Sequence, residues 1–273
     1  LNLNGSTVTV TEDTSMELTG VSASTLTLTS AGDITDSAAT TLAVTGLANL
    51  TSTGGGAITL GDNAGDTTNF GSLTFNGTGA VSVSEDSDTA LSGTSTALSL
   101  DLDSTGGISD DGTANLTVTN LADFAGTSIT LDDTMNFGSL TFNSAGAVVV
   151  AEDSSTLLSG TSLVSSLDLK STAAITNSDS ASLTVQNLSK LEGTSITIGD
   201  EVSDTVNFGE ITVVSAGAVT VSEDSATSFI GTSTALSLDL DSAGAVTDTD
   251  SASLTVTNLA DIAGTSITLG DHA

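Results

Sequence analysis

AVTVSED, residues 218–224, decides the fold: Val219 and Val221 alternate with small or hydroxyl residues, and the run then breaks into a pair of carboxylates. Alternation with a period of two marks a strand that buries one face, and an acidic pair directly after it is turn chemistry. AVSVSED at 80–86 and SITLDD at 128–133 repeat the pattern. Acidic corners return along the whole chain, at Glu12-Asp13, Asp36, Asp62, Glu85-Asp86, Asp110-Asp111, Asp132-Asp133, Glu152-Asp153, Asn177 to Asp179, Asp200, Glu223-Asp224, Asp248 to Asp250 and Asp271. A period of roughly two dozen residues is the mark of a solenoid, in which one supersecondary unit stacks on the next. Twelve corners predict about twelve coils of roughly 22–26 residues.

A longer period of roughly 70 residues lies above the short one. Asn69-Phe70-Gly71, Asn136-Phe137-Gly138 and Asn207-Phe208-Gly209 each open a unit that passes through an acidic corner (Glu85, Glu152, Glu223) and ends near GTSIT. The first 68 residues read as a diverged copy, so the chain divides into 1–68, 69–135, 136–206 and 207–273, four copies of three coils in one continuous solenoid. Within each coil two strands are clear, such as SLTF (72–75) and VSVS (81–84), and a less regular third side closes a triangle. The alternation sets Leu98, Leu100, Leu116, Val118, Ile129 and Leu131 on the inner face. No window carries apolar residues at helical spacing. The expected fold is all-β, a parallel β-helix, with the right-handed wind that is the default for parallel crossovers.

Composition agrees and narrows the function. There is no Pro, as interior strands require, and no Cys, so neither a disulfide nor a thiolate metal site exists. Seven Phe are the only aromatic residues, which leaves an aliphatic core. Thirty-four acidic residues face two basic ones, Lys170 and Lys190, for a net charge of −32. Such a surface offers nothing to displace counterions from nucleic acid and is repelled by anionic membranes. No apolar run approaches the length of a membrane span. The chain opens inside a strand pattern without an initiating Met, which leads us to expect a slice or processed product of something longer.

NLTVTN (115–120) and GAVTVSED (217–224) resemble the filamentous-haemagglutinin type of bacterial surface repeat, and Ser/Thr/Asp-rich repeats of this kind occur in giant bacterial surface proteins. The resemblance covers the whole chain. It implies an extracellular, secreted or surface-attached β-helical shaft, of an adhesin or a fibre.

The acidic corners are the one constellation with possible chemistry. Successive corners spaced by one strand, about 4.8 Å, could share a hard cation. This makes Glu12, Asp13, Asp62, Glu85, Asp86, Asp110, Asp111, Asp132, Asp133, Glu152, Asp153, Asp200, Glu223, Asp224, Asp248 and Asp271 candidate Ca2+ ligands. Against this, the same residues read as solvated turn carboxylates at an exposed edge, and GDNAGD (61–66) is only a partial echo of a calcium repeat. Thr rows at 7, 9, 11 and 25, 27, 29 read as solvated strand faces, and Phe70, Phe137 and Phe208 as core plugs. Glycan lyase chemistry needs a base or cation beside carboxylates, whereas Lys170, Lys190 and His272 are scattered over different coils, so no enzyme is expected. The expected partners are further copies of the chain stacked head to tail, with a cell-surface glycan or protein as the alternative.

Overall fold

Runs of Thr, Ser, Val and Leu with a period of two can bury one face only by closing into a coil and stacking, and the chain does so. The computed structural model describes residues 1–270. Among these there are twenty-eight strands and no helix, and the pairings between strands are parallel. The fold is an all-β parallel β-solenoid of about 13 turns, within one of the twelve counted from the corners. No helix is long and apolar enough to cross a membrane. The chain forms two compact units, Leu1–Gly138 and Ser139–Ala273.

In the first unit the strands Asn2–Glu12, Gly20–Ser30, Thr41–Ser52 and Thr67–Asn76 lie one on the next. Their register sets Asn2 under Gly20, Val21 under Leu42 and Thr41 under Thr67, so the coil lengthens from 18 to 21 to 26 residues. The expected range of 22–26 is therefore too narrow at its lower end. A corner can gain or lose residues while the strands on either side keep their register. Ala80–Glu85 stacks under Ser99–Ser104, which in turn stacks under 122–125.

The second unit repeats this last arrangement twice. Val148 lies under Leu167 and Leu167 under Ser189, while Val219 lies under Leu238 and Leu238 under Ala260. The steps are those of Val81, Leu100 and Ala122 in the first unit. The roughly 70-residue sequence period thus corresponds to a fixed order of short and long coils.

Inward positions form aliphatic rows within each unit, among them Leu26, Leu28, Leu50 and Leu102 in the first and Val150, Leu169, Val221 and Leu240 in the second. All seven Phe are buried, and Phe124 meets Phe137 edge-on at 5.6 Å. Leu100, Leu116, Val118, Ile129 and Leu131 point inward as expected, but Leu98 is 42% exposed. It sits between the strands Thr94–Ala97 and Ser99–Ser104, where a corner resets the alternation, and Leu236 does the same in the second unit. The Thr row pairs Thr7 with Thr25, Thr9 with Thr27 and Thr11 with Thr29, and then gives way to Asn49 above Thr27.

Candidate functional site at the acidic corners

A parallel strand satisfies its N–H and C=O groups through the coils on either side, so a coil that cuts a corner leaves the strand beneath it without partners. This happens above 67–70 and again above 205–208. Asp86 N–H donates to the Thr68 carbonyl at 2.9 Å, and the Asp86 carboxylate accepts the Thr68 N–H at 2.9 Å. Asp224 makes the same two bonds to Val206, both at 2.8 Å. Two residues further along the ended strand, Phe208 N–H donates to Glu223 Oε1 at 3.0 Å, and Phe70 N–H faces the Glu85 carboxyl in the first unit. The Glu-Asp pair thus caps a terminated column of strands, much as a side chain caps the first turn of a helix.

The two members of each pair part company. Asp86, Asp153 and Asp224 stand at the surface, whereas Glu85, Glu152 and Glu223 are 2%, 1% and 3% exposed. The sequence places all six on an exposed edge, and the three glutamates depart from that because the N–H groups they serve lie inside the coil. Thr156 Oγ1 donates to Glu152 at 2.6 Å, and Thr227 Oγ1 to Glu223 at 2.5 Å. Ser154 and Ser225 add a second hydroxyl at 3.1 and 2.9 Å. In the first unit the bonding is poorer: Thr89 stands next to Glu85, but neither Thr89 Oγ1 nor Glu85 Oε1 makes a hydrogen bond of good geometry, and Thr68 Oγ1 is likewise buried without one. Burial pushes Glu85 up to about 8 and raises Glu223 as well.

A new column opens where the old one ends. Gly93, Gly160 and Gly231 turn at φ of 62–64°, and a serine two residues later plugs the gap. Ser95, Ser162 and Ser233 accept N–H bonds from Phe75, Phe142 and Val213 at 3.2, 3.2 and 3.1 Å. Hydroxyl and carboxylate groups therefore replace ladder bonds wherever successive coils differ in path.

The remaining corners fasten coil to coil. Asp66 Oδ1 accepts Thr40 N–H, Asp133 Oδ2 accepts Ala114 N–H, and Asp204 Oδ1 accepts Ala181 N–H, at 2.8, 2.9 and 3.2 Å. Asp66 and Asp204 are absent from the sequence-derived ligand set. Their signal is nevertheless present, because Asp-Thr-x-Asn-Phe-Gly occurs at 66–71, 133–138 and 204–209. The glycine of that motif meets the coil below: a Cβ on Gly71, Gly138 or Gly209 would lie 2.3, 2.1 or 2.3 Å from a backbone carbonyl oxygen.

Among the sequence-derived candidates, Asp110, Asp132 and Asp133 come within 4.8 Å of one another, and Asp62 comes equally close to Asp36 and Asp66, which are not in that set. Both Asp36 oxygens accept Gly61 N–H, and burial raises Asp36 to about 6. Asp110 Oδ2 accepts the N–H groups of Asp132 and Asp133 at 2.7 and 2.9 Å, and burial raises Asp110 too. Asp200, Glu223 and Asp224 line an open cleft of about 440 Å3 together with Glu201, Asp204 and Asp241. Glu12 pairs in register with Ser30, Asp13 and Asp153 are exposed, and Asp111 binds its own Thr113. Asp248 accepts Gly270 N–H, while Asp271 and His272 lie outside the described residues.

The two lysines sit in neighbouring coils on one outer face. Asp168 lies beside Lys190 and Lys170 beside Glu192, with ion pairs of 3.0 and 3.3 Å. Exposed pairs of this kind contribute about 0–1 kcal/mol each. At the equivalent place in the first unit, Asp101 faces Asp123 directly. Burial and then the neighbouring carboxylates raise Asp123.

No curated protein and no solved structure matches the chain. A family model described as "Repeats of unknown function (DUF5649)" matches residues 5–74, 78–143 and 216–273. These segments make up more than half of the sequence and include the diverged first copy, so the chain belongs to the DUF5649 repeat family.

Proposed function

We propose that this chain is a structural element, the β-solenoid shaft of an extracellular bacterial surface fibre, filament or adhesin stalk. The observation that carries this reading is the use of the corner side chains. Asp86, Asp133, Asp204 and Asp224 accept backbone N–H groups from the neighbouring coil, so the most frequent charged groups maintain the ladder. The Ser, Thr and Asp outer faces and the resemblance to haemagglutinin-type surface repeats support the extracellular setting. Electron microscopy of the native material is expected to show fibres built from stacked coils. Isolated particles closed at both ends would overturn the proposal.

A second reading, a cation-loaded module that adheres to glycan or protein, is favoured by Asp110, Asp132 and Asp133. Their grouping leaves Asp132 exposed and sets Asp110 Oδ1 and Asp133 Oδ1 apart from these backbone bonds, in reach of a hard cation. On this reading, calcium added after chelation raises Tm, by an amount equivalent to about 2.7 kcal/mol at a hundredfold excess over Kd. Asp110→Asn removes the effect. An unchanged Tm and no heat on titration would eliminate the cation.

A further inference from the structure

We propose that Glu85 and its counterpart Glu223 form a proton-operated latch: each is held in its coil as the neutral carboxylic acid, and loss of that proton loosens the column of strands it caps.

Three geometric observations support the latch. Glu85 and Glu223 recur at the same place in two copies, as does Glu152 in a third, and all are nine-tenths or more buried. Each is held by groups that fix its position: Phe70 N–H on Glu85, Thr156 and Ser154 on Glu152, and Phe208 N–H, Thr227 and Ser225 on Glu223. The charged groups around them are negative. Glu85 has Asp86 beside it and Ser104 above, and the turn beneath, where Gly61 packs under Ser84, carries Asp62. Glu152 has Asp153 beside it and Ser171 above. Glu223 has Asp224 beside it, Ser242 above, and Asp200, Glu201, Asp204 and Asp241 around the same cleft. The two lysines of the chain pair with Glu192 and Asp168 instead.

A buried carboxyl with carboxylates around it ionises at a cost that falls on the folded state, and at Glu85 and Glu223 burial outweighs the donors that reach them. Glu85, whose Oε1 has no partner, is the least supported of the three. Its folded value is about 8, against an ordinary 4.5. The folded chain therefore holds a proton that the unfolded chain releases across that window. The latch is fully engaged below the ordinary glutamate range, and its stability is lost as pH rises through the folded value.

Thermal melts monitored by circular dichroism in about 0.5 M salt, where surface repulsion is screened, test this. Tm is expected to be higher by about 5 °C or more near pH 5 than near pH 9. Glu85→Gln and Glu223→Gln combined mimic the neutral acid and should flatten that slope. Asp13→Asn and Asp239→Asn, which replace the same number of carboxylates at exposed positions, should preserve it. A flat wild-type profile, or a glutamine variant with the wild-type slope, would overturn the latch. Infrared spectroscopy of the folded wild-type protein near neutral pH gives a readout that needs no variant. A protonated-carboxyl carbonyl band is expected, lost on unfolding, and its absence would refute the proposal.

Discussion

Replacing Gly209 by alanine is expected to destabilise the second unit by about 3 kcal/mol, the upper part of the range for forced overpacking. The added methyl would stand 2.3 Å from the Gln186 carbonyl oxygen and 2.7 Å from that of Asn187, both backbone atoms with no rotamer to change. The strand would have to rise off the coil below, and Val206 and Phe208 with it. Urea denaturation gives the measurement. Because a solenoid is stabilised coil by coil, the loss should appear as an earlier or broader transition of part of the signal. A midpoint unchanged from wild type would show that the coils separate more easily at Asn-Phe-Gly than the structure indicates. Gly71→Ala meets the Thr45 carbonyl in the same way and should behave alike.

Phe124→Ala is expected to cost about 3–5 kcal/mol in the first unit, the usual range for emptying a buried aromatic site. Phe124 has no exposed surface and packs edge-on against Phe137. The other core residues here are aliphatic and fixed by in-register backbones, so the cavity cannot close by moving a neighbouring strand. Phe124→Leu should recover most of the loss by refilling much of the volume. Equal destabilisation by the two variants would mean that the ring contact matters more than the volume.

The fold was legible because its determinants are local. Val219 and Val221 alternate with Thr220 and Ser222 within one strand, and Gly and Asp close the corner within a few residues, so the coil, its phase and its parallel stacking follow from short windows. Leu98 escaped because one corner residue shifts the alternation without altering composition. The Asp-Thr-x-Asn-Phe-Gly hexapeptide was partly legible. Its Asn-Phe-Gly half marks the copies, but the role of Asp66 and Asp204 depends on an N–H group more than twenty residues away.

The sequence alone settles that this is a repeating, acidic, parallel β-coil with an aliphatic core, since side-chain periodicity and turn chemistry act over a few residues. Tertiary structure decides what the Glu-Asp corner does. Glu223 and Asp224 are adjacent carboxylates at one turn, yet one is buried on Phe208 and the other stands at the surface bonding Val206. That division is set by the length of the coil passing overhead, which determines the N–H groups left without a strand to receive them.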